Sequence, residues 1–184
     1  MSHEVVVYIG DRNTGKTTRL LEIFYRARKE KKRILVIDSA TEHADKSLLV
    51  KLAHEEGAIK IDTCSKEKIT FPHYKEHDFP YELIGEEEKA LYLCDAAYYL
   101  EKGYDYPEGA QRQEQRRYYK CFSMQIIQSL LKKIDVIIMD EIELIPESKE
   151  IIQLIGKHHI QLFMTLRHIE GLCGLDEMFD IERI

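Results

Sequence analysis

The chain has 184 residues, 44% apolar and 33% charged, with a net charge of −6, which is the balance of one soluble domain (1–184) with a sizeable core and not of a disordered chain. An acidic balance argues against a protein that coats nucleic acid regardless of sequence, while leaving room for a local basic groove. No apolar run approaches the roughly 18 residues of a membrane span, and the start MSHEVVVYIG lacks the basic residues and cleavage site of a signal peptide.

In chain order, EVVVYIG (4–10) is a β-branched apolar run ending in glycine and predicts a buried strand. From Lys16 the pattern turns helical, with Leu20, Leu21, Phe24 and Tyr25 on one face. The basic run RARKEKKR (26–33) reads as the solvent-facing end of that helix, where cations suit unpaired carbonyls, ahead of a nucleic-acid patch. RILVIDSA (33–40) predicts a second strand and so a right-handed βαβ unit. Asp38 at its end either faces a crevice or caps the next turn. ADKSLLVKLAHEEG (44–57) predicts a helix closed by Gly57, and AIKIDTC (58–64) a short strand. Residues 65–85, with Pro72, Pro80 and Gly85, read as loop, 86–103 as helix, 104–111 as a break, and 113–133 as a long helix. IDVIIMDEIEL (134–144) predicts a buried strand ending in two acids, followed by a helix over 146–156. HIQLFMTLRH (159–168) and MFDIERI (178–184) predict two more strands. Strands alternating with helices imply α/β architecture. Cys64, Cys94, Cys121 and Cys173 are scattered, as expected of reduced cytoplasmic thiols and not of a cysteine zinc site.

Gly10, Gly15, Lys16 and Thr17 fit G-x-x-x-x-G-K-[ST] between a strand and an amphipathic helix, the context that motif demands. Glycines let the backbone wrap so that its N–H groups face phosphate oxygens, and the helix adds its positive end. The whole stretch Gly10, Asp11, Arg12, Asn13, Thr14, Gly15, Lys16, Thr17 and Thr18 is the candidate nucleotide-binding segment. Lys16 would meet the β- and γ-phosphates, Thr17 would offer a hydroxyl to Mg²⁺, and Thr18 would meet the α-phosphate. Asp140 ends its strand at the carboxyl edge, where parallel sheets place ligands, and is the second candidate for Mg²⁺. Glu141 is one residue beyond, where a carboxylate can orient and polarise an attacking water.

This combination resembles the P-loop NTPases of the additional-strand, catalytic-glutamate division, over the first 40 and last 50 residues. The resemblance implies a three-layer fold, a mainly parallel five-stranded sheet with a helical and irregular insertion at about 65–120, and hydrolysis of ATP with Mg²⁺. It implies that Thr165, on the strand after the acid pair, is a γ-phosphate sensor, and that Arg167 is a γ-phosphate cation or a finger given to a neighbour. The last segment is similar to small ATPases of the FtsK/HerA and zonular-occludens-toxin types, although many of those carry a glutamine at Leu166 or Arg167. That likeness admits a homo-oligomer and a nucleic-acid or protein partner, and no membrane. GKTTRLLEIFYRARKEKKRILVID also resembles thymidine kinases and corrinoid adenosyltransferases, which makes phosphoryl or adenosyl transfer to a small acceptor the alternative; a nucleotide-gated switch is the third reading. The zinc-binding cysteines usual in thymidine kinases are missing, and no guanine-specific N-K-x-D stretch occurs.

Weaker groupings remain. QRQEQRRYYKCF (111–122) interleaves Arg112, Arg116, Arg117 and Lys120 with Tyr118 and Tyr119; a helix with one solvated face is favoured over a single-strand grip. His73 and His77 near Asp78 have metal-pair spacing, against which Pro72 and Pro80 argue. His158, His159 and His168 read as surface or strand-end residues.

Overall fold

Val5–Ile9 forms β1 and Lys16–Lys29 forms α1, followed by β2 (Ile34–Asp38), α2 (Leu48–Glu55) and β3 (Ile59–Lys60). Then come β4 (Leu91–Asp95), β5 (Val136–Asp140), α3 (Ser148–Lys157), β6 (Gln161–Leu166) and β7 (Asp180–Arg183). These elements belong to a computed structural model that describes residues 4–38, 47–60, 91–95, 127–128, 130–144, 146 and 148–184.

The seven strands form one sheet in the order β3-β4-β2-β5-β6-β1-β7. Every neighbouring pair is parallel. The five-stranded sheet that the resemblance implies is therefore too small, and of the seven strands only β4 is missing from the six read from the residues. The strand that leads into the glycine loop, β1, does not touch β5, which ends in the acid pair; β6 lies between them.

Successive side chains on a strand point to opposite faces, and here both faces are covered. Val6 and Tyr8 pack with Leu20, Ile23, Phe24 and Ala27 of α1 and Leu49 and Ala53 of α2. Val5, Val7 and Ile9 belong to the opposite cluster, with Ile151, Ile152 and Ile155 of α3 and Ile127, Leu130 and Ile134. Such two-sided burial explains why β1, β2 and β5 read as continuous apolar runs.

The helices end in similar ways. Lys31, Gly57 and His159 take φ of 56°, 74° and 56°, just past α1, α2 and α3. In each case the next residue's N–H returns to the last turn, as Lys32 does to Ala27 at 3.0 Å and Ala58 to Ala53 at 2.9 Å. At the amino end of the sheet Arg33 meets Asp135 through its backbone N–H at 2.8 Å and Nη2 at 2.7 Å. Arg28 pairs with Glu56 and Lys32 with Glu30. Several cations of the 26–33 run thus make ion pairs within the fold, in keeping with a helix end.

One element differs in kind. The helix expected over 86–103 contains β4, which pairs with β2 on one side and β3 on the other. Tertiary pairing of a short apolar stretch outweighs the helix propensity of its Glu-, Lys- and Ala-rich flanks. The helix expected to reach 133 is helical at 127, 128 and 130, and residues 131–133 are a turn. The rest of 113–133, the loop 65–85, the break 104–111, and the outer parts of 44–57, 58–64 and 86–103 lie outside the described residues.

Candidate nucleotide and metal site

The loop after β1 is anchored at Gly10, whose N–H donates to Leu166 O at 3.3 Å and so extends the β1–β6 pairing. A Cβ at Gly10 would lie 2.3 Å from Ile184 O, closer than any real side chain tolerates. Asn13 takes φ 66°, and Gly15 φ 96° at the start of α1. No side chain caps α1, and no acid lies in its first turn; its leading amides and positive dipole end therefore open onto the loop. Lys16 is buried, and its Nζ donates to Gly10 O at 2.6 Å and Asp11 O at 2.7 Å. The Thr14 hydroxyl donates to Asp11 O at 3.0 Å. Asp11, Arg12, Asn13 and Thr18 are exposed, while Thr14, Gly15 and Thr17 are half-buried.

Asp140 meets this loop from the other side. Thr17 Oγ1 donates to Asp140 Oδ2 at 3.2 Å, across a separation of 123 residues. Thr165 Oγ1 donates to the other oxygen, Oδ1, at 2.5 Å. Burial pushes the Asp140 carboxyl above the usual carboxylate range, and the neighbouring Glu141 adds to the rise, whereas the hydroxyls of Thr165 and Thr17 and the charge of Lys16 oppose it. A buried carboxylate beside a hydroxyl is a hard-oxygen donor pair of the kind that suits Mg²⁺, an ion that takes few protein ligands and fills its octahedron with water and phosphate oxygens. Among the described residues there is no group of three or more His, Cys, Asp or Glu that could hold a metal, so any ion here would need such outside ligands.

Thr165 is fully buried. Its hydroxyl donates to Asp140 and accepts the Glu141 N–H at 2.9 Å. One hydroxyl therefore holds the Asp140 carboxyl and the backbone of Glu141 together. Glu141 takes φ 52°, a strained conformation for a residue of its type. Arg167, just past β6, donates Nε to Glu141 Oε1 at 3.2 Å and Nη2 to Oε2 at 2.7 Å. The expected phosphate cation is thus forked onto the expected base of its own chain.

Asp38 is 2% exposed and stands in register with Asp140 on one side and Asp95 on the other. It accepts a short hydrogen bond from the hydroxyl of Ser47, which in turn caps α2 by accepting from Val50 N at 3.2 Å. Of the two readings of Asp38, support for the next cap is the one with a described partner. The row of three aspartates is not expected from the sequence, because Asp95 falls in the predicted helix and the short run LYLCD carries no period that separates strand from helix. His158, His159 and His168 are exposed, as expected. His73, His77, Asp78 and the basic-aromatic run 111–122 lie outside the described residues. No protein-family model and no curated protein sequence matches this chain.

Proposed function

We propose that the protein is a Mg²⁺-dependent P-loop nucleoside triphosphatase, acting on ATP. The observation that carries this reading is the 3.2 Å contact between Thr17 and Asp140, which joins the glycine loop to the acid strand. The position of β6 between β1 and β5 supports an additional-strand, three-layer P-loop fold. In this reading the loop amides and Lys16 grip the β- and γ-phosphates, which replace the carbonyls of Gly10 and Asp11 as partners of Nζ. Thr17 and Asp140 would hold Mg²⁺, which would supply positive charge against the phosphates. Glu141 orients a water and takes its proton. The water oxygen bonds to the γ-phosphorus as the bond to the β–γ bridging oxygen breaks, and ADP leaves. The cycle would be read out by a nucleic-acid or protein partner, or by further copies of the chain. ATP is preferred over GTP because no N-K-x-D stretch occurs.

Phosphate release from Mg²⁺-ATP, with and without single-stranded DNA, duplex DNA and RNA, tests the reading. Lys16→Ala is expected to weaken ATP about a hundredfold, roughly 2.7 kcal/mol. Glu141→Gln is expected to keep ATP binding and lose at least about a hundredfold in turnover. Binding that ignores Lys16, or turnover that ignores Glu141, would overturn the assignment. Tight binding with no turnover under any condition would favour transfer or a switch.

A further inference from the structure

Arg167 and Glu141 form a two-point ion pair, with both side chains partly exposed at 41% and 36%. A carboxylate held by both oxygens on a guanidinium is turned towards its partner. As arranged, Glu141 faces Arg167. One backbone contact sets the segment that carries Arg167 beside the start of the nucleotide loop, and a second pins the loops around the pair. The carbonyl of the preceding residue, Leu166, accepts the N–H of Gly10. The loops after β5 and β6 are tied together by the bond from Leu144 N to Gly171 O at 2.7 Å. A flexible arginine stem at that point can turn from Glu141 to the loop mouth while the backbone stays pinned.

Resting on the proposed nucleotide site, we infer that Arg167 is a positioning residue that exchanges Glu141 for the γ-phosphate. A γ-phosphate offers more negative charge and more acceptor oxygens than one carboxylate, so it outcompetes Glu141 for the fork. The diphosphate has no group there, and the pair re-forms. The base is released when a triphosphate is bound and held when it is not, which ties the competence of Glu141 to the presence of substrate.

A double-mutant cycle on equilibrium binding tests this without turnover. Affinities for Mg²⁺-ADP and for a non-hydrolysable ATP analogue are measured for wild type, Glu141→Gln, Arg167→Ala and the double variant. The quantity read is the preference for triphosphate over diphosphate. Glu141→Gln is expected to raise it about two- to fivefold, the range of a partly exposed ion pair. Arg167→Ala is expected to lower it, and in that background Glu141→Gln is expected to add little. Arg167→Lys should recover part of the preference. An equal rise in both backgrounds would mean simple relief of repulsion between Glu141 and phosphate, and would overturn the exchange. So would a preference untouched by Arg167→Ala, or a lysine variant no better than alanine. If both nucleotides bind in a Lys16-dependent way and the cycle is flat, the exchange fails alone. If neither nucleotide binds, the site assignment fails with it.

Discussion

Strands β2 and β5 run side by side, and their two ends follow different rules. At the amino end Arg33 and Asp135 meet as cation and anion, with side chains 45% and 38% exposed. At the carboxyl end the register sets Asp38 beside Asp140, acid beside acid, at 2% and 9% exposure. Hydroxyl groups serve both acids there, from Ser47, Thr17 and Thr165. The amino end matches opposite charges in water and costs the fold little. The carboxyl end buries two acids side by side, an arrangement commonest where a site needs it. Polar residues at one edge of the sheet thus pair as ions, and at the other they are held by hydroxyls.

Three substitutions break or sharpen that contrast. The largest effect on stability is expected at Thr165, where valine removes a hydroxyl used by two partners and leaves the Glu141 N–H without its acceptor. Urea unfolding should show a loss of about 2 kcal/mol, and Thr165→Ser should recover most of it. A loss near zero would mean that the carboxyl end does not depend on that hydroxyl. Next is Asp140→Asn. Because burial raises the Asp140 carboxyl in the fold, its contribution is complete below the unfolded value of roughly 3.9 and is lost as pH rises through the folded one. The charged form of Asp140 therefore opposes folding. The asparagine variant should keep or raise the thermal midpoint of the nucleotide-free protein, yet lose about tenfold, or roughly 1.4 kcal/mol, of the Mg²⁺-dependent gain in ATP affinity. A clear drop in midpoint would erase the proposed difference between the two ends.

The smallest effect belongs to Asp135→Asn. The Arg33 guanidinium and backbone hold the Asp135 carboxyl below the usual range. A depressed acid stabilises above its unfolded value of roughly 3.9 and loses that contribution as pH falls through the folded value. Exposure limits the pair to less than about 1 kcal/mol. Chemical denaturation at pH 7 should show this small loss, and the variant and wild type should converge as pH falls below the folded value. A difference that persists in acid would point to packing and not charge.

Much of this architecture was legible because parallel strands buried on both faces leave unbroken apolar runs. Val5–Ile9, Ile34–Asp38, Val136–Asp140 and Gln161–Leu166 each fall inside the expected strand. The glycine loop was legible for a local reason: Gly15 must take positive φ, and the helix must follow at once. The Leu91–Asp95 strand was hidden because five apolar and polar residues among helix-forming neighbours have no period of their own; β2 and β3 decide its form. Thr165 on β6 and Arg167 just past it stand out in the sequence as polar residues after the acids, but the sequence carries no sign of which partner each selects. That choice depends on β6 lying next to β5, and on a threonine hydroxyl being able to donate and accept at once.

The first glycine of the loop has a different tutor from the second. Gly10 does not enter the left-handed region that Gly15 needs. What crowds a side chain at position 10 is the carbonyl of Ile184, just past β7, together with the Thr14 hydroxyl of the loop itself. The backbone of the neighbouring edge strand therefore helps to dictate this letter of the motif. A methyl group at position 10 would act as a wedge, prising the last strand from β1 before any ligand arrived. The damage would first be visible in edge-strand amide exchange, and only then in affinity.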